Sequence, residues 1–228
     1  MGSADDLAGP TAQDVVQRLA ALRTELASID RRWEHPVAVV AVTKGFDRRA
    51  VDAAAEAGCS AIGENYAQEL LSKREAVEGH GLDVHFIGRL QSNKVRQIAG
   101  VVGRWSSLDR ASVIDEVARR APGGRVLIQV NATDESGKGG CLPDEVAALV
   151  ARATARGLVV EGLMTVGPTG EPPEAARPGF AVVRSLVDEL GLEVCSMGMT
   201  SDLAVALEEG SSEVRVGTAL FGPRPRRG

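Results

Sequence analysis

Apolar residues Val15, Leu19, Leu22, Leu26 and Ile29 recur at spacings of four, three, four and three. That spacing predicts one amphipathic helix over about residues 11–32. Thr11 and Asp14 have the form of a capping box at its start. His35-Pro36 closes the helical region, because the residue before a proline disfavours the α conformation. From there the rhythm changes. Apolar, β-branched runs near 37–43, 59–63, 84–88, 101–106, 125–130, 158–164, 192–197 and 213–216 predict strands. Helical patterns fall between them, near 47–57, 66–76, 93–99, 110–119, 143–156, 174–190 and 201–209. The runs are mostly continuous, as expected of strands buried on both faces of a parallel sheet. Eight strands and eight helices over 1–228 predict an α/β chain of one domain, a closed (β/α)8 TIM barrel over about 37–222 with a short C-terminal tail. A doubly wound open sheet is the competing topology. "GPTGEPPEAARPG", Gly167 to Gly179, predicts a long surface loop after strand six.

Composition narrows the class. The net charge is −5 with scattered basic residues, which argues against a nucleic-acid partner. Three cysteines, Cys59, Cys141 and Cys195, lie far apart without a C-x-x-C pair, so neither a metal site nor a disulfide framework is expected. The start, "MGSADDLAGP", has neither a basic nor an apolar signal region, and Asp6 does not fit a myristoylation site. No apolar run reaches the ~20 residues of a membrane span. The expectation is a reduced, cytoplasmic protein that contacts no membrane. The tail "PRPRRG", Pro223 to Gly228, reads as a solvated end.

One residue stands out against this background. The chain has twenty-two arginines and only four lysines, yet Lys44 closes the apolar strand "VAVVAVTKGF". In a parallel barrel, chemistry gathers at the C-terminal ends of the strands. Lys44, "GENY" (63–66), "HFIGRLQSNK" (85–94), "QVNATDESGKGG" (129–140), "SMGMTSD" (196–202) and "VRVGTALFG" (214–222) all fall there. The last two have the glycines, amides and hydroxyls of a phosphate cup: Thr200 with Ser201, and Gly217 with Thr218. Neither is a Walker motif, and "SGKGG" is not one either. A partly buried lysine has a depressed pKa, and its free amine can form a Schiff base with an aldehyde. A phosphate-bearing aldehyde would suit the rim: pyridoxal 5'-phosphate (PLP), or the substrate of a sugar-phosphate aldolase.

Together "AVTKGF", "GENYAQE", "HFIGRLQSNK", "QVNATDESGKGG", "GLMTV" and "SMGMTSDLAVALEEGSSEVRVGTALFG" resemble the YggS/PROSC family of pyridoxal phosphate homeostasis proteins, in order from about 37 to 222. The resemblance implies a barrel like the N-terminal domain of alanine racemase, PLP on a lysine, and no established catalysis. It implies buffering of the cofactor and its delivery to PLP-dependent apoenzymes. By position, Lys44 resembles the Schiff-base lysine and Asn65 a residue lining the cofactor. Thr200 stands where the family usually has a phosphate-binding serine, and Gly217 and Thr218 resemble the other phosphate ligands. Arg215 resembles the residue facing the pyridine nitrogen. The family's usual Ser-Lys, with a further lysine and proline, is here Thr43-Lys44-Gly45-Phe46-Asp47, which leaves a less basic rim. An arginine at that nitrogen disfavours ring protonation and makes the cofactor a poor electron sink. A PLP-dependent racemase or decarboxylase is the alternative; a racemase needs a second acid/base from a C-terminal β domain, and the chain ends at Gly228.

Structural readings stand beside these. Asn65 has the position to cap the next helix. Arg215 could pair with Glu213 or Glu193. His85 reads as a core histidine, Lys138 as a solvated loop charge, and Lys73 and Lys94 as exposed helix residues. Tyr66, Trp33 and Trp105 read as packing residues.

Overall fold

The computed structural model describes residues 10–133, 135 and 137–224. The readings of the first nine residues and of the last four lie outside them. The first helix, α1 (Ala12–Ser28), buries Val15, Leu19, Leu22 and Leu26, four of the five that the spacing puts on one stripe; Ile29, the fifth, lies past its end. Its capping box is formed: Asp14 N donates to Thr11 Oγ1, and Thr11 N to Asp14 Oδ2. The helix stops at Ser28 rather than near residue 32, and Ile29 is already extended.

Strand and helix then alternate. The order is β1 (Ala38–Val42), α2 (Arg48–Glu56), β2 (Ala61–Glu64), α3 (Ala67–Ser72), α4 (Arg74–His80), β3 (Asp83–Phe86), α5 (Ser92–Ile98) and β4 (Arg104–Leu108). It continues with α6 (Ala111–Arg120), β5 (Arg125–Val130), α7 (Val146–Ala155), β6 (Val159–Thr165), α8 (Arg177–Glu189), β7 (Val194–Ser196), α9 (Leu203–Glu208), β8 (Glu213–Val216) and α10 (Thr218–Phe221). Every neighbouring strand pair is parallel, and β8 returns to β1 with Val40 opposite Arg215. The sheet is a closed eight-stranded barrel, not an open sheet.

Three departures from the sequence reading have local causes. The helix expected over 66–76 breaks at Lys73, whose φ −105° and ψ 0° separate α3 from α4. The lysine ammonium is drawn inward to a carboxylate, described below. The fourth strand begins at Arg104 rather than near 101, because the apolar pair Val101-Val102 belongs to the turn that ends α5. The proline-rich stretch after β6 is a loop only as far as Pro172; a 3-10 turn over Pro173–Ala176 leads directly into α8.

The interior of the barrel is polar at its centre. Arg104 of β4 reaches Glu213 of β8, a contact between non-adjacent strands that must cross the lumen. Arg104 Nη2 also donates to His85 Nδ1 at 2.8 Å. An arginine can only donate, so Nδ1 accepts, and Nε2 carries the proton that it gives to Asp83 Oδ2 at 3.1 Å. Burial works to raise Asp83, but hydrogen bonds from His85 and Arg125 outweigh it and hold the carboxyl well below the usual range. His85 is thus a satisfied core histidine. Trp105 is fully buried and packs on Phe86 at 6.4 Å. All three cysteines are buried and free, and burial pushes the thiols of Cys141 and Cys195 up to about 12.

Candidate functional site

Lys44 lies two residues past the end of β1. Val42 and Lys44 share one face of the strand end and Thr43 takes the other, as the two-residue side-chain period requires. Val42 and Lys44 line a cavity of about 390 Å³ at the C-terminal mouth of the barrel. Thr43 is buried behind the strand, and its Oγ1 donates to Glu64 Oε1 at 2.6 Å. Gly45 turns the chain away from the cavity with φ +79°, in the left-handed region that glycine adopts without strain. Its amide donates to Glu69 Oε2 at 2.8 Å, which ties the turn to α3.

The same cavity is lined by Ile87, Met199, Thr200, Ser201, Arg215, Gly217, Thr218 and Arg224. Five of the six residues expected to bind a cofactor, Lys44, Thr200, Arg215, Gly217 and Thr218, therefore meet in one hollow. Asn65 does not line it. It lines the adjoining groove with Tyr66, Arg89 and Lys94. Its position is set by Gly88: a Cβ there would lie 2.0 Å from Asn65 O, so only glycine allows the end of β3 to pass so close. Asn65 does not cap α3. The N-cap position is Tyr66, which makes no side-chain cap bond and is 56% exposed rather than packed. Asn65 Oδ1 is buried without a protein partner.

The electrostatics single out Lys44. Burial, then the cations Arg224 and Arg215, push its amine below the ordinary lysine value, while Glu64 and Glu69 work in the opposite direction. It makes no ion pair among the described residues. Arg215, fully buried, is held by three hydrogen bonds: Nη1 to Ser196 O (2.8 Å) and Ser196 Oγ (2.7 Å), and Nη2 to Thr165 O (2.6 Å). It pairs directly with neither Glu213 nor Glu193; Glu213 is engaged by Arg104 instead. A guanidinium has five N–H groups; three are used here, and Arg215 lines the cavity. The first-turn amides of α10, at Thr218 and Ala219, have no intrahelical acceptor.

Two lysines differ from their expected surroundings. Lys138 is not a loose solvated charge: its Nζ donates to Glu135 Oε2 and Gly167 O at 2.6 Å each and to Thr133 Oγ1 at 3.2 Å. Lys73 is buried rather than exposed, 2.6 Å from Glu64 Oε1 and 2.8 Å from Thr43 O. Sequence reasoning missed Arg224 altogether, because it read the tail as solvated. The signal was available only as a cation two residues past the last glycine of the "VRVGTALFG" motif.

These features define a class: a closed parallel barrel with a lysine of lowered pKa and a rim of hydroxyls, amides and guanidiniums opening on one mouth. The sequence model of the alanine racemase N-terminal domain matches residues 17–225, and the chain belongs to that family. Its curated relatives are named pyridoxal phosphate homeostasis proteins. The Pseudomonas aeruginosa protein is 37% identical and the match covers 94% of this chain and 96% of its own. The Aquifex aeolicus protein is 44% identical over 73% of this chain and 78% of its own. Among solved structures, PipY of Synechococcus elongatus with PLP bound superposes with a TM-score of 0.79 at 28% identity, covering 91% of this chain and all of PipY.

The residues present fit that cofactor. The cavity volume suits a small flat ligand. It offers an uncommitted amine, hydroxyls and amides for a phosphate, and a guanidinium. Beside it, Asn65 Oδ1 is a buried acceptor still lacking a donor.

Proposed function

We propose that this protein binds PLP in the cavity at the barrel mouth, holds it as a Schiff base on Lys44, and serves PLP homeostasis and delivery in the cytoplasm, with PLP-dependent apoenzymes as recipients. The observation that carries the reading is the meeting of Lys44, Thr200, Arg215, Gly217 and Thr218 in one cavity although they lie on three separate segments of the chain. When bound, PLP supplies an aldehyde with which a primary amine condenses, with loss of water. Burial and the neighbouring cations lower the Lys44 pKa, which favours the unprotonated, nucleophilic amine relative to an ordinary lysine. Thr200, Ser201 and Thr218 offer hydroxyls, and the amides of Gly217 and Thr218 offer donors, for a phosphate in the same cavity.

Arg215 decides what the site does not do. A guanidinium keeps its proton, so a ring nitrogen placed against it stays neutral and the ring withdraws electrons poorly. Binding is thereby separated from turnover. Borohydride reduction of the PLP-loaded protein should fix one phosphopyridoxyl group, with peptide mapping placing it on Lys44. Lys44→Arg should abolish the reducible adduct, because a guanidinium does not condense with the aldehyde. Lys44→Ala should lose it as well, yet keep measurable PLP binding through the phosphate end. Label falling mainly on Lys138, or spread over all four lysines, would sink the assignment.

A further inference from the structure

Arg215 does not owe its orientation to a direct ion pair. Glu213 and Arg215 stand two residues apart on β8 and so face the lumen together. Register places Ser196 of β7 opposite Glu213. The Ser196 hydroxyl donates to Glu213 Oε1 at 2.7 Å and accepts from Arg215 Nη1 at 2.7 Å. Neither role can be reversed. A hydroxyl has one proton, a guanidinium has no lone pair to receive it, and the carboxylate has nothing to give. The other oxygen of Glu213 is taken by Arg104. A single carboxylate thus lies between two buried guanidiniums, touching Arg104 directly and Arg215 through Ser196. All four side chains are almost wholly buried.

Building on the assignment of PLP to this cavity, we propose that Ser196 is the positioning residue for Arg215, its hydroxyl aimed by Glu213 so that the guanidinium faces the cofactor ring. Of the three acceptors that hold the guanidinium, two are main-chain carbonyls, at Ser196 and Thr165. Carbonyls fix where the group sits. The hydroxyl alone links it to the negative charge on Glu213. Without that link, Arg215 is hydrogen-bonded only to neutral carbonyls; Glu213 and Asp202 attract it and Arg104 repels it through space alone, and its free end can turn toward the vacated volume. The ring nitrogen then meets less positive charge, and protonation of the bound cofactor becomes easier.

A second buried serine provides the control. Ser211 is also fully buried; its single hydroxyl proton lies within reach of the main-chain oxygens of Met197 (2.7 Å), Glu213 (2.9 Å) and Cys195 (3.3 Å), and it makes no hydrogen bond to Arg215. The experiment is a pH titration of the visible absorption band of PLP-loaded protein, with melting temperatures measured alongside. Ser196→Ala should move the midpoint of the band upward by about half a pH unit or more, a threefold or larger gain in proton affinity. Ser211→Ala should lower the melting temperature by a similar amount and leave the midpoint at the wild-type value. Ser196→Thr, which keeps the hydroxyl, should return the midpoint to wild type even if its extra methyl costs stability. An unchanged midpoint in Ser196→Ala, or an equal shift in Ser211→Ala, overturns the proposal. Wild-type protein with no PLP band at any pH would instead overturn the assignment of PLP to the cavity.

Discussion

Lys44 and Lys73 approach the same strand end from opposite sides, and their surroundings differ in kind. Lys73 is 2% exposed, yet its ammonium bonds to Glu64 Oε1 and Thr43 O. Lys44 is only half-buried, but it faces the cations Arg215 and Arg224 and has no paired carboxylate among the described residues. Burial alone therefore does not produce a reactive amine. A buried lysine with a carboxylate in contact has its donors committed and becomes part of the scaffold. A less buried one among like charges gives up its proton more readily than an ordinary lysine. The two roles are also mechanically joined. Thr43 gives both its carbonyl and its hydroxyl to the Lys73–Glu64 pair, so the structural lysine anchors the residue that precedes the reactive one.

The largest expected effect tests the structural half of this contrast. Lys73→Met leaves Glu64 with a buried charge and no cation, which costs about 3–5 kcal/mol. For a chain of this size that lowers Tm by roughly 10 °C. Burial already pushes the Glu64 carboxyl upward, with Lys73 and then Thr43 opposing it, so loss of the lysine favours its protonated form. Combining Lys73→Met with Glu64→Leu should recover at least half of the lost Tm. Below the new Tm, the single variant should still take its phosphopyridoxyl label on Lys44. Loss of that label with the fold intact would show that the two lysines do not divide the work in this way.

A smaller effect is expected at the phosphate end. Thr218→Val and Thr200→Val each remove one hydroxyl and conserve shape. Each should weaken PLP binding by about 1.5 kcal/mol, roughly tenfold, with Tm nearly unchanged because both residues are exposed. Equilibrium titration in the Lys44→Ala background isolates this term from the covalent bond. Unchanged affinity in both variants would place the phosphate elsewhere.

The smallest effect concerns the amine itself. Arg224 is the strongest charged neighbour depressing Lys44. Arg224→Gln should shift the pH midpoint of the imine-forming rate upward, toward the ordinary lysine value of 10.5. Stability carries the same signature. A lysine whose folded pKa lies below 10.5 is protonated more readily in the unfolded chain. Its presence thus disfavours folding at low pH, and that cost is relieved as pH rises through the folded pKa. Lys44→Met should accordingly raise apo-protein stability at neutral pH and confer no advantage near pH 11. A difference independent of pH would mean that the charge of Lys44 is not strained.

The alternation of apolar runs made the parallel strands legible, since strands buried on both faces leave continuous apolar runs; that the eight close into a barrel rather than lie open was decided by the structure. The fifth and eighth strands, 125–130 and 213–216, coincide with their apolar runs. The first helix shows its buried face and its cap in the sequence because both depend on residues within one or two turns. Motif order likewise placed Lys44, Thr200, Arg215, Gly217 and Thr218 on one rim. What the sequence could not carry was any property that depends on residues distant along the chain. The burial of Lys73 depends on a carboxylate nine positions away across a helix–strand gap. Arg215 passes over its near neighbour Glu213 for carbonyls on β6 and β7, because the barrel puts Arg104 from the far wall against that carboxylate. Arg224 joins the cavity only because the chain after α10 folds back over Gly45, where a Cβ would lie 3.0 Å from the arginine side chain. Side-chain periodicity reports which face of an element is apolar. Which charge meets which is settled by the closure of the barrel, and that closure brings together strands as far apart in sequence as the first and the eighth.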